Sequence, residues 1–66
     1  MFISFETENA SILLRADDIQ KIHLGDNSSK FYIYFKNTDV ESFYFSDYVA
    51  ARAQFNSIMK QMRGEY

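Results

Sequence analysis

The sequence lacks cysteine, proline and tryptophan, and its 66 residues include only two glycines and one histidine. Without cysteine the chain has no disulfide framework and no thiolate metal site. His23 cannot build a zinc cluster alone. Two glycines cannot form a phosphate-cradling loop. The absence of proline leaves every backbone N–H group available for the hydrogen bonds of a sheet.

A strong excess of one charge is also missing. Seven Lys and Arg residues stand against nine Asp and Glu residues, giving a net charge of −2 and a pI near 5.1. Nucleic-acid-binding proteins usually carry a basic excess, so binding to nucleic acid is not expected. The N-terminus has no signal-peptide pattern, and no apolar run approaches the roughly 18 residues of a membrane-spanning helix. We therefore expect a cytoplasmic protein without a membrane partner.

The chain length predicts a single domain over residues 1–66. A core of this size rarely supplies more than about 3–5 kcal/mol of stability, so such domains depend on very good packing or on a partner subunit. Seven Phe and five Tyr residues are available for either purpose, because each aromatic side chain buries a large area.

Alternation of side chains over Lys30–Ser46 predicts a β-hairpin. With Asn37–Asp39 as a three-residue loop, Ile33 lies opposite Phe43, Phe31 opposite Phe45, and Tyr32 opposite Tyr44. One face then carries five apolar residues: Phe31, Ile33, Phe35, Phe43 and Phe45. The other face carries Tyr32, Tyr34 and Tyr44, where a solvated sheet face would normally be polar.

A first hairpin and a middle strand are predicted from the N-terminal third. Residues 1–6 and 11–15 alternate around a polar connection, and pairing Glu6 with Ser11 makes the inner face uniformly apolar. The pair Asp17-Asp18 suits a tight turn or a single helical turn. A strand over Gln20–Leu24 follows, with Lys21 and His23 pointing outward. A loop over Gly25–Ser29 then leads into the second hairpin.

The last third of the chain predicts an amphipathic helix. Ser46 is a suitable N-cap, Asp47 lies in the first turn, and Gly64 ends the helix. Apolar residues repeat along one stripe, at Tyr48, Ala51, Phe55, Ile58 and Met62. We expect an α+β fold in which a small antiparallel sheet of about five strands, two hairpins and a middle strand, packs on one C-terminal helix.

Aromatic and apolar residues on the outer side of the strands are the main functional signal. The candidate interaction residues are Phe2, Leu13, Tyr32, Tyr34 and Tyr44. Contiguous apolar patches of more than a few hundred Å² are uncommon on small monomers. We therefore expect a non-enzymatic protein-interaction module and a homodimer with Tyr32 and Tyr44 at or near its interface. The alternative is that the chain itself covers the tyrosines.

Two other functions are considered. The sheet tyrosines could stack on bases of single-stranded RNA, with Lys30 and Lys36 nearby, although the basic and glycine signature of such modules is missing. A small enzyme or metal-binding protein could use carboxylates or the histidine. Those residues lie in or next to turns, or at an outward strand position, and their spacing does not match a metal-binding loop. They are Glu6, Glu8, Asp17, Asp18 and His23. We therefore expect no catalytic site, no metal and no cofactor.

The order of elements supports one resemblance. The elements that carry this resemblance are the segment Asp18–Ile22, a loop, the strand pair Phe31–Lys36 and Val40–Phe45, and a terminal helix opened by Ser46. Their layout resembles that of small bacterial and phage proteins such as the small flagellar and swarming-motility proteins. The resemblance covers most of the chain and consists of apolar positions without a diagnostic motif. It implies the sheet-plus-helix fold and carries over no site residue. An accessory or inhibitor protein of a phage or mobile element is the most concrete expectation of this kind.

Overall fold

A computed structural model describes residues 1–64 and contains five strands, one short 3₁₀ turn and one helix. The strands form two antiparallel sheets, one with the order β1-β2 and one with the order β3-β4-β5. Their bounds are Phe2–Glu6 for β1, Ser11–Arg15 for β2, Ile19–Leu24 for β3, Lys30–Phe35 for β4 and Val40–Tyr44 for β5, and helix α1 spans Tyr48–Met62. The predicted α+β class is confirmed, with the strands divided between two sheets.

The first hairpin has the predicted register. Glu6 pairs with Ser11, Phe5 with Ile12, and Ile3 with Leu14. The turn is closed by the Thr7 N–H, which donates to the Ala10 carbonyl at 2.8 Å. A 3₁₀ turn over Ala16–Asp18 then leads into β3, as the Asp pair predicted.

The second hairpin forms, but its predicted cross-strand pairs are wrong by two residues. Phe31 lies opposite Phe43, and Tyr32 opposite Ser42. The loop comprises residues 36–38, because the Phe35 N–H donates to the Asp39 carbonyl at 2.8 Å. Thr38 closes this loop with φ of 76°, a left-handed conformation that is unusual for a β-branched residue.

The two-residue error leaves the faces of the strands unchanged. Side chains alternate with period two, so only an odd shift would exchange the inner and outer sets. Phe31, Ile33 and Phe45 are buried, as predicted for the inner face. Their neighbours Tyr32, Tyr34 and Tyr44 lie on the outer side.

Helix α1 begins one residue later than predicted. Asp47 is the N-cap, because its Oδ1 accepts a hydrogen bond of 2.8 Å from the Ala50 N–H. The prediction of Ser46 as N-cap was wrong. Gly64, with φ of 79°, follows the last turn and donates its N–H to the Gln61 carbonyl, as expected for a helix-ending glycine. Among the described residues, no helix has the length and apolar content needed to cross a bilayer.

Two glutamines of the helix cover one edge of the first hairpin. The Gln61 side-chain amide accepts from the Ser4 N–H and donates to the Ser4 carbonyl, both at 2.8 Å. Gln54 Oε1 accepts from the Glu6 N–H at 3.2 Å. These amides replace a neighbouring strand, so the outer edge of β1 is protected from pairing with another chain.

The core lies between the inner faces of the two sheets and the apolar stripe of the helix. Phe31 is fully buried at its centre, with ring centroids of Phe45, Phe5, Phe43 and Phe55 at 5.0, 5.5, 6.0 and 6.2 Å. Ala51 and Ile58 are also fully buried, whereas Met62 at the end of the predicted stripe is exposed.

Candidate binding face

The outer side of the three-stranded sheet combines aromatic and basic side chains. Each outward position is fixed by pairing, because Lys21 lies opposite Tyr34, His23 opposite Tyr32, and Lys30 opposite Tyr44. We call this surface the tyrosine–lysine face. It comprises Lys21, His23, Lys30, Tyr32, Tyr34, Val40, Ser42 and Tyr44.

The lysines of this face lie over the tyrosine rings. Lys21 Nζ is 4.7 Å from the ring centroid of Tyr34. Lys30 Nζ is 5.4 Å from the centroids of both Tyr32 and Tyr44. At these distances an ammonium group is attracted by the negative face of the ring. The aromatic and basic residues therefore form one connected surface.

Exposure differs among the three tyrosines. Tyr32 and Tyr34, on the central strand, are half-buried. Tyr44, on the edge strand, is 62% exposed. The accessible aromatic area is consequently concentrated near β5.

The tyrosines also act on Lys30 electrostatically. A hydrogen-bonding interaction with Tyr32 raises the pKa of Lys30 above its usual 10.5, and electrostatic interactions with the Tyr32 and Tyr44 hydroxyls raise it further. Lys30 is positively charged at neutral pH, as a lysine ordinarily is.

The face differs in charge from the rest of the protein. None of its residues, all of which lie in the described part of the chain, is Asp or Glu. The whole chain nevertheless has a net charge of −2. Two lysines on one side of a sheet therefore produce a local positive potential that the overall composition conceals.

The structure divides the residues that the sequence singled out. Tyr32, Tyr34 and Tyr44 lie together on the tyrosine–lysine face. Phe2 and Leu13 are exposed as expected, but they belong to the two-stranded sheet.

Sequence reasoning placed Lys21 and His23 outward without assigning them to the candidate surface. Their pairing with Tyr34 and Tyr32 adds them to it. The signal that could have found them is the alternation of β3, once β3 is taken as the neighbour of β4.

Lys36, which was expected near the tyrosines, lies in the loop after β4. It lines an open groove of about 670 Å³ between the end of β2 and the second hairpin. Charges of both signs line this groove, from Arg15, Asp18, Lys36, Asp39 and Glu41. Lys36 is therefore assigned to the groove and Lys30 to the tyrosine–lysine face.

The carboxylates considered from the sequence are not assembled into a site. Asp17 and Asp18 lie in the 3₁₀ turn, where Asp18 Oδ2 is 3.9 Å from Arg15 Nε. Over residues 1–64, no three His, Asp or Glu side chains lie close enough together to hold a metal ion.

No protein-family model, curated protein or solved structure matches this chain. The function must therefore be argued from its surfaces. On the tyrosine–lysine face, aromatic and basic side chains converge from three adjacent strands.

Proposed function

We propose that the protein is a non-enzymatic interaction module whose tyrosine–lysine face binds an acidic segment of a protein partner. The observation that supports this proposal is the interleaving of Lys21 and Lys30 with three tyrosines on a face without a carboxylate. Tyrosine provides apolar contact area together with a hydroxyl that can donate a hydrogen bond. Lysine supplies the charge that selects a carboxylate-rich partner.

The same charges argue against self-association through this face. Two copies placed face to face would bring Lys21 and Lys30 against the same residues of the other copy. Like charges across an interface are unfavourable and suppress such pairing. An acidic partner is favoured over a second copy for this surface.

Single-stranded RNA is the second candidate, because aromatic rings interleaved with lysines on a sheet resemble a stacking platform. Base stacking needs accessible ring faces. Here Lys21 lies over Tyr34, Lys30 lies over Tyr32 and Tyr44, and two of the three rings are half-buried. This arrangement favours a carboxylate-rich partner over RNA, because carboxylates can pair with the two lysines without displacing them from the tyrosine rings.

The test is a fluorescence-anisotropy titration of the protein against three labelled probes. These are short peptides rich in Glu and Asp, length-matched peptides rich in Lys and Arg, and mixed-sequence single-stranded RNA. We expect binding to the acidic peptides that weakens as salt is added, because exposed charges are screened. We expect no detectable binding to the basic peptides, or to RNA at physiological salt.

A charge-matched control distinguishes the contribution of the tyrosine–lysine face to binding from that of the net charge of the protein. Lys21→Glu with Lys30→Glu should abolish binding to the acidic peptides. Lys60→Glu with Arg63→Glu, which makes the same change of net charge at the C-terminal end of the helix, should leave most of it. Equal losses in both variants, or no binding by the wild type, would contradict the proposal. Salt-sensitive RNA binding that Lys30→Glu removes would favour the second candidate.

A further inference from the structure

The outer edge of β5 is an unpaired strand edge. The Phe35 N–H donates to the Asp39 carbonyl, and the Phe45 N–H donates to the Ser29 carbonyl. Hydrogen-bonded and non-hydrogen-bonded pairs alternate along an antiparallel ladder. Val40, Ser42 and Tyr44 therefore direct their N–H and carbonyl groups away from β4, and β5 is the last strand of its sheet in the described part of the chain.

The edges of β1 and β3 carry protection that β5 does not. Gln61 and Gln54 cover the edge of β1. A register shift between Ile19 and Lys21 interrupts β3. Native proteins protect strand edges with a cover, a bulge, proline or charged side chains, especially lysine. Strand β5 has regular pairing, no proline and no lysine, and its one charged residue is Glu41. Three consecutive residues, Val40, Glu41 and Ser42, are exposed.

We propose that two copies of the chain associate by antiparallel pairing of β5 with β5 around a two-fold axis at Ser42. In this register Ser42 lies opposite Ser42 of the second copy, and Val40 lies opposite Tyr44 of the second copy. All three residues direct their backbone groups outward, so each exchanges both hydrogen bonds with its counterpart. A two-fold axis makes the contact self-complementary and closes the assembly as a dimer.

The side chains of β5 suit this register. Val40 and Tyr44 are 48% and 62% exposed, and the pairing places each against the other. Glu41 is the one charged residue of β5, and it lies opposite Phe43 of the second copy, away from its own counterpart. Aromatic–aliphatic cross-strand pairs stabilise a sheet, whereas like charges directly opposite each other destabilise it. The edge is thus complementary to itself in both shape and charge.

The dimer would join two three-stranded sheets into one continuous sheet and bring the two tyrosine–lysine faces side by side. Pairing through the edge of β5 does not depend on which partner the tyrosine–lysine face binds. It also differs from a dimer formed through the face, because Lys21 and Lys30 of one copy stay away from those of the other.

The edge of β2 is the competing surface. The Thr7–Ala10 and Ala16–Met1 hydrogen bonds direct the backbone groups of Ser11, Leu13 and Arg15 outward from that hairpin. A two-fold axis at Leu13 would match one apolar residue with itself. Pairing through β5 matches an apolar pair twice, which favours β5.

The test uses the position on the two-fold axis. We expect light scattering after size exclusion to give about twice the 7.8 kDa chain mass at tens of micromolar. Ser42→Lys and Ser42→Asp should each shift the protein to monomer, because like charges would then face each other across the axis. Mixing the two variants should restore a dimer that contains one copy of each. A merely structural role of Ser42 would not produce this rescue.

Hydrogen exchange of the wild type needs no variant. The Val40, Ser42 and Tyr44 amides should be protected, and their protection should increase with protein concentration. Leu13→Lys is the matched control and should remain dimeric. The proposal would be overturned by a wild-type mass of one chain or by dimers that persist in both Ser42 variants. It would also be overturned by a monomeric Leu13→Lys variant or by fast exchange of the three amides at every concentration.

Discussion

At the residue scale, a single carboxylate determines where the helix begins. Ser46 and Asp47 are adjacent, both are good N-cap residues, and the sequence favoured Ser46. In the fold Asp47 accepts from the Ala50 N–H, and its φ and ψ of −158° and −179° are extended, as an N-cap requires. Ser46 precedes the helix and has no capping bond.

Asp47→Ala should lower the free energy of unfolding by about 1 kcal/mol, since loss of an N-cap typically costs that amount. Urea denaturation followed by circular dichroism measures the change. Ser46→Ala is the neighbouring control and should be close to silent. Equal losses from the two substitutions would show that the cap is shared.

At the scale of elements, helix α1 both packs on the core and covers a strand edge. Its buried residues Ala51 and Ile58 were predicted from the 3.6-residue repeat. Gln54 and Gln61 lie outside the predicted apolar stripe, where a glutamine normally meets water. Their role depends on β1 lying alongside the helix, and the helix sequence does not contain that information.

Gln61→Ala should remove both hydrogen bonds to Ser4 and lower the free energy of unfolding by about 1–3 kcal/mol, at about 0.5–1.5 kcal/mol for each bond. The Ser4 amide should then exchange with solvent faster in a hydrogen-exchange experiment. Asn56→Ala, at an exposed helix position, is the control and should change neither quantity. Unchanged Ser4 exchange in Gln61→Ala would contradict the edge-covering role.

At the scale of the whole molecule, stability depends on one aromatic cluster to which both sheets and the helix contribute. Phe5 comes from β1, Phe31 from β4, Phe43 from β5 and Phe55 from the helix. The predicted contact between Phe55 and the inner face is confirmed by the 6.2 Å separation of the Phe31 and Phe55 rings. Loss of one member should therefore weaken the whole fold.

Phe55→Ala should leave the protein largely unfolded at room temperature. Phe55 is partly buried against the core, so we expect a loss near the lower end of the roughly 3–5 kcal/mol that truncation of a core phenylalanine costs. That loss is still comparable with the whole stability expected of so small a core. Thermal melting by circular dichroism measures this effect. Asn56→Ala, one residue along the helix, should melt like the wild type. Melting of Phe55→Ala near the wild-type temperature would show that the helix does not depend on this ring.

The class of fold, the first hairpin and the face on which each strand residue lies were all predictable from the sequence. These features follow from local periodicity, and the alternation of side chains survives an even error in register. The error arose at the second loop, where residues 36–38 form the turn and Thr38 adopts a positive φ. The sequence Asn37-Thr38 lacks the glycine that usually marks such a position, so this turn carried no local signal.

Which elements contact each other depends on long-range tertiary contacts. Gln61 reaches Ser4 across 57 positions of the chain, and Lys21 reaches Tyr34 only because β3 pairs with β4. The division of five strands into two sheets, the covered edge of β1 and the open edge of β5 are likewise products of long-range packing. Local propensity determines whether a segment forms a strand, a turn or a helix. Contacts between distant segments determine which other element its surface packs against, because those contacts depend on the burial of the whole core.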